Sequence, residues 1–247
     1  MLAIIGGRGL TQLANLKITH QQVMRTPYGE SSGAFLFGTL NEHEVIFLAR
    51  HGYGHTIPPH LVNYRANLWV LREQGASAVI SVATVGGIRA DLKPGWIVVP
   101  DQIIDYTHGR DATFYGGRDK PYSNTDFTFP YSEQLRSRIL LSAKTAKQPC
   151  VDGGVYAATQ GPRLDSIAEV NRYERDGADM VGMTGMPETA LAKELDLNYA
   201  TIAVVANYAA GRGDSKSGIN IESVNSTASE TMGRVRNILE CIVNNGD

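Results

Sequence analysis

The chain has 247 residues, 43% of them hydrophobic and 19% charged, with a formal net charge of -2. This balance is that of a folded globular protein and excludes a disordered or membrane-embedded chain. Without a basic excess, neither nucleic acid nor an acidic membrane surface is the expected partner. The length suits one large α/β domain, 1–247, with no linker or internal repeat. Cys150 and Cys241 lie far apart and in no metal-ligand spacing, which points to a reduced, cytoplasmic setting. The apolar start at residues 1–5 is too short for a signal peptide and has no basic front.

Taken in order, residues 2–5 read as a short buried strand that runs into Gly6-Gly7-Arg8-Gly9. Such a turn suits either a tight reversal or close backbone approach to an anion. It is neither a dinucleotide fingerprint nor a Walker loop, because Gln12 stands where a third glycine belongs and no Gly-Lys-Ser/Thr follows. Thr26-Pro27-Tyr28-Gly29 is a turn signal, and residues 34–39 and 44–49 read as two strands. The second ends in Arg50-His51-Gly52-Tyr53-Gly54-His55, where Arg50 offers a fork of donors to an oxyanion and His51 a donor or a proton.

Residues 61–74 have helical spacing, with Leu61, Tyr64, Leu68 and Leu71 on one face. Residues 78–83 read as a buried strand that leads into Thr84-Val85-Gly86-Gly87, a small-residue turn. Residues 96–100 form another strand, which 101–105 would continue. Residues 107–128 show no period and read as a long surface loop. Helices are expected over 131–145, 166–176, 187–195 and 221–243, and strands over 154–158, 179–182 and 199–206. Residues 211–218, rich in Gly, Ser and Lys, read as a mobile segment. In Val181-Gly182-Met183-Thr184-Gly185-Met186-Pro187-Glu188, an apolar run hands a turn to a helix. Thr184 there is either a helix cap with methionines packed around it or an oxyanion site.

Candidate residues thus fall at five strand ends: Gly6–Gly9, Arg50–His55, Thr84–Gly87, Gly161–Asp165 with Met183–Thr184, and Asn207. Alternation of strands and helices from residue 61 onward implies a central mixed, twisted sheet flanked by helices.

In order, Ile4-Ile5-Gly6-Gly7-Arg8-Gly9-Leu10, Ala49-Arg50-His51-Gly52, Val85-Gly86-Gly87, Gln160-Gly161-Pro162-Arg163 and Val181–Glu188 resemble the trimeric purine nucleoside phosphorylase family. Within it they are similar to the methylthioadenosine phosphorylase branch. Arg50-His51 with His55, Pro58-Pro59 and Val62-Asn63-Tyr64-Arg65-Ala66-Asn67 resembles its 5'-methylthioinosine phosphorylases. The resemblance implies attack of inorganic phosphate on a purine nucleoside, releasing the base and a pentose 1-phosphate. It implies no metal and no organic cofactor, since phosphate is a co-substrate.

By the same resemblance Gly7, Arg50, His51 and Thr184 hold phosphate, Met183 packs under the ribose, and His51 and Asn207 are the catalytic pair. Leu164, Val85 and Gly86 join the substrate-binding set. Asn207 stands where adenine-selective relatives carry aspartate, and a carboxamide can donate to a 6-oxo group. Asp165 stands where 6-oxopurine enzymes carry a glutamate that accepts the N1–H. Ile221 and Val224 fit an apolar pocket for a 5'-methylthio group, or pack the last helix onto the sheet.

Two departures from the family pattern stand out. Arg8 replaces a small hydroxyl residue and is either an extra phosphate clamp or an obstruction. Ala83-Thr84 replaces Asn-Ala, so Thr84 takes over a hydrogen bond to phosphate or fills space. The implied assembly is a homotrimer in which residues 126–130 reach a neighbour's site. The expected substrate is 5'-methylthioinosine. Alternatives are inosine or guanosine, methylthioadenosine, and, in a different class, purine binding without catalysis.

Overall fold

The structure is a computed structural model, and it describes residues 1–116 and 122–244. Residues 117–121, inside the expected 107–128 loop, lie outside the described residues.

The chain opens with β1 (Leu2–Gly6), β2 (Lys17–Gln22), the two-residue strands β3 (Arg25–Thr26) and β4 (Gly29–Glu30), β5 (Phe35–Leu40) and β6 (His43–Ala49). Helix α1 (Tyr64–Glu73) leads to β7 (Ala78–Gly87), β8 (Ile97–Val99) and β9 (Gln102–Asp105). Then come α2 (Glu133–Thr145), β10 (Cys150–Asp152), β11 (Val155–Ala158), α3 (Ile167–Arg175), β12 (Met180–Gly182) and α4 (Gly185–Glu194). The long strand β13 (Asn198–Tyr208) and helix α5 (Ile221–Asn244) complete it.

Among the described residues eleven strands form one mixed sheet, whose central order is β10-β8-β13-β7-β1-β6-β5-β2. Strands β6, β1, β7 and β13 run parallel, so their carboxyl ends share one edge. β12 pairs antiparallel with β7 and parallel with β11, which folds the sheet around that edge. Alternating residues divide the core. Ile4, Phe47 and Ile80 pack with α2 and α5 on one face. Ala3, Ile46 and Val79 pack with residues of α1 and α4 on the other. Buried parallel strands covered on both faces explain why β1 and β7 read as continuous apolar runs.

Four expectations change. Helix α1 starts after Asn63, whose side chain accepts from the Ala66 N–H. Leu61 sits in the preceding Pro59–Leu61 turn and is 66% exposed, so it does not share the buried face of Leu68 and Leu71. Residues 84–87 are not a turn: β13 lies along all of β7, and that pairing overrides the punctuating glycines. Residues 96–105 are two strands with different partners, separated at Pro100, which has no N–H to continue a ladder. The segment 211–218 contains a 3-10 turn, Gly213–Ser217, and Arg212 donates to Asn171 and Glu174 of α3. β2 gave no signal in the sequence because all six of its residues are exposed and it has no apolar face.

The corrected helix start is testable. Leu68→Ala empties a fully buried site and should lose about 2–5 kcal/mol in urea melts. Leu61→Ala should change stability by less than about 0.5 kcal/mol.

Candidate active site

The shared carboxyl edge of β1, β6, β7 and β13 faces a cavity of about 380 Å³. This is where open α/β sheets place ligands. The residues expected to bind phosphate, sugar and base line it, from Gly7 and Arg8 through Thr84, Val85 and Gly86 to Ile221 and Val224.

At the ends of β1 and β6 the chain packs without slack. A Cβ on Gly7 would meet the Val82 carbonyl oxygen at 2.6 Å and Arg50 Nη1 at 3.0 Å, so a side chain there would displace the guanidinium. Arg50 has no solvent exposure. Its Nε and Nη2 donate to the two Glu188 carboxylate oxygens at 2.6 and 2.9 Å, Nη2 donates to Ser81 Oγ at 2.6 Å, and Nη1 to the Val82 carbonyl at 3.0 Å. Burial works against the charge on Arg50, and the Glu188 carboxylate outweighs it, so the guanidinium stays above its ordinary range. The expected fork therefore faces Glu188 and not an incoming oxyanion. One Nη1 hydrogen is left for a ligand.

His51 differs from expectation as well. Its Nδ1 lies 2.8 Å from the Ile57 carbonyl, which can only accept, so Nδ1 carries the hydrogen. Burial, and then the neighbouring Arg50 charge, push its pKa down to about 4. At neutral pH the ring is uncharged and Nε2 is an acceptor, not a donor. Its ring stands 4.8 Å from that of His55.

Thr184 is buried and makes no side-chain capping bond to α4. Met186 is extended (φ -118°, ψ 141°) and kinks α4 just before Pro187. Met186 packs in the core, whereas Met183 faces the cavity. Gly161 (φ +60°) touches this floor: a Cβ there would lie 2.5 Å from Met183 Sδ. The turn that follows carries Leu164 and Asp165. Asp165 accepts from Tyr173 Oη at 3.2 Å and Thr159 Oγ1 at 3.4 Å. Burial pushes its carboxyl up, against the pull of the Tyr173 hydroxyl.

Asn207 sits where β13 slips register against β7, between Val205 and Asn207. Its Nδ2 donates to the Tyr208 carbonyl at 2.6 Å. That carbonyl accepts only, so it fixes the orientation of the amide and leaves one N–H and the Oδ1 to the cavity. Arg8 is exposed and donates from Nη1 to Asn225 on α5 at 3.2 Å, beside Ile221 and Val224. Thr84 stands on β7 opposite Val204. Ile221 is 49% exposed at the first turn of α5.

The Phosphorylase superfamily profile matches residues 2–244. The chain belongs to that superfamily. It is 49% identical over 236 residues to the probable S-methyl-5'-thioinosine phosphorylase of Pseudomonas syringae pv. tomato, covering 95% of this chain and 94% of that one. To the 6-oxopurine nucleoside phosphorylase of Pyrococcus furiosus it is 42% identical over 220 residues, covering 87% and 82%. A methylthioadenosine phosphorylase from Schistosoma mansoni, in complex with adenine, has the same fold with a TM-score of 0.94 at 30% identity, covering 98% and 90%.

Within this phosphorylase chain the sequence left two site residues without a role. Glu188 ends the quoted motif, and only its 1% exposure in the fold marks it as the partner of Arg50. Arg110 lies in the loop without period. Among the described residues no group of three or more His, Cys, Asp or Glu could hold a metal, and no helix is long and apolar enough to cross a membrane.

Two outcomes follow from the geometry. Arg50→Met leaves the Glu188 carboxylate buried and unpaired, and should cost about 3–5 kcal/mol in denaturant melts. Arg50→Met/Glu188→Gln should recover most of that stability. For His51, the unfolded ring titrates near 6.5 and the folded one near about 4. Between those values only the unfolded chain binds the proton, so stability falls as pH drops through that window. In His51→Gln the fall measured from pH 6.5 to 4 should be shallower than in the wild type.

Proposed function

We propose that this phosphorylase cleaves a 6-oxopurine nucleoside with a 5'-deoxy-5'-methylthio sugar, 5'-methylthioinosine, to hypoxanthine and 5-methylthioribose 1-phosphate. The observation that carries the base assignment is Asn207, whose amide the Tyr208 carbonyl orients with one N–H left to donate. A 6-oxo group accepts that hydrogen, whereas a 6-amino group placed at the same N–H would set donor against donor. The Asp165 carboxylate complements it by accepting N1–H, which a 6-oxopurine has and adenine lacks. Buried mismatches of this kind discriminate strongly, because they leave polar groups unpaired.

In the reaction the glycosidic C–N bond breaks and a phosphate oxygen bonds to the anomeric carbon. The bonding pair goes to the purine, Asn207 meets the charge that develops on its 6-oxygen, and the proton that monohydrogen phosphate gives up ends on the departing base, which leaves neutral. Phosphate takes the remaining Arg50 Nη1 hydrogen and the Thr184 hydroxyl, beside Gly7, Arg8 and Thr84. The neutral His51 Nε2 accepts from the hydroxyl of monohydrogen phosphate. Met183 lies under the pentose. Ile221 and Val224 supply the apolar wall for the methylthio group, and Leu164, Val85 and Gly86 line the base site. No step calls for a metal or an organic cofactor.

The reading includes a cytoplasmic homotrimer. Phe127 of the 126–130 segment packs on the chain's own core, while Phe129 is 71% exposed and suits a neighbour. The similarity to the 6-oxopurine enzyme of Pyrococcus furiosus favours a second reading, with inosine or guanosine as substrate.

Steady-state rates with methylthioinosine, inosine and methylthioadenosine, with and without phosphate, test these assignments. Base release should require phosphate, and kcat/KM should be highest for methylthioinosine. Equal use of inosine supports the second reading, and preference for methylthioadenosine sinks the role of Asn207. Base released equally fast without phosphate marks a hydrolase. No turnover leaves a purine-binding protein. Asn207→Asp should lower kcat/KM for methylthioinosine by about 10²-fold or more.

A further inference from the structure

Arg110 does not line the cavity, yet it joins the two chain segments that build its floor and its base site. From the loop after β9, its Nη1 donates to the carbonyls of Met183 at 2.9 Å and Met186 at 2.6 Å. Its Nη2 donates to the carbonyls of Thr159 at 3.2 Å and Gln160 at 2.8 Å. Nε reaches Gln160 Oε1 at 3.2 Å, and Nη1 also lies 3.3 Å from Tyr64 Oη. That hydroxyl has given its hydrogen to the Pro59 carbonyl, so it accepts from Arg110.

The acceptors are there for a reason. Met183 precedes α4 and Met186 is extended at the kink within it, and a carbonyl inside the fold needs a donor. Thr159 and Gln160 leave β11 for the turn that carries Asp165. A planar guanidinium offers five N–H groups at fixed angles, so it sets both segments in one geometry.

We propose that Arg110 is a positioning residue for the phosphorolysis reaction. It fixes the Met183–Thr184 segment, on which pentose and phosphate sit, relative to the Gly161–Asp165 turn that reads the base. This rests on the functional reading above. Loss of Arg110 therefore weakens both substrates at once, although it touches neither. Small misplacements of reacting groups carry large rate penalties.

The test compares wild type, Arg110→Lys and Arg110→Met. Lysine keeps the charge but has three donors for six acceptors, without the planar fork. KM for phosphate and KM for methylthioinosine should each rise by about tenfold or more in both variants, measured at a temperature where each is folded. A merely structural role would lower Tm and the active fraction and leave both KM values alone. The assignment is overturned if both KM values stay within about twofold of wild type, or if only one rises. Should Arg110→Met fail to fold, Arg110→Lys decides by the same criteria. A wild-type protein that releases no base in the presence of phosphate sinks the functional reading itself. Wild-type turnover with unaltered KM values in the variants sinks only the role of Arg110.

Discussion

A guanidinium with no access to water persists only where its charge is matched in place. The side-on pair of Arg50 with Glu188 does this at the junction of β1, β6, β7 and α4, and the rest of the site is arranged around it. Ser81 and Val82 of β7 take two further donors, and Tyr199 of β13 donates to Glu188 at 2.8 Å. Three strands and a helix are thereby fixed against one another by polar contacts of defined direction, where apolar packing alone would allow slippage. Breaking one partner costs far more than the pair contributes to stability, so the pair serves geometry more than stability.

That pair also sets the electrostatics. Its cation helps to keep His51 neutral, and the Ile57 carbonyl fixes which ring nitrogen carries the hydrogen. An anion entering the cavity therefore meets an acceptor at His51 and donors elsewhere. The site favours a ligand that both accepts hydrogen bonds and carries a hydrogen of its own, as monohydrogen phosphate does. Preorganised dipoles of this kind stabilise charge without rearranging when the reaction occurs.

Much of this was legible in the sequence. The strand-turn segments at residues 6–9 and 181–188 announce the carboxyl edge of the sheet, and the residues to which the family resemblance gives phosphate, sugar and base roles line one cavity. The directions of the side chains were not legible. Nothing local to Arg50 shows that its partner lies 138 positions away, and the histidine tautomer depends on a carbonyl six residues on. Arg110 was invisible because it acts from a loop without period, on backbone atoms that no motif encodes. β2 was missed for the opposite reason: its pairing with β5 makes it a strand, and its own residues say nothing.

The contact of Asn207 with the Tyr208 carbonyl limits which side chains position 207 can hold in this orientation. A carboxylate at position 207 would face that carbonyl oxygen with no hydrogen between them. Aspartate there would fit only with its side chain or the backbone swung away from that carbonyl. The register slip in β13 lies directly beside that contact.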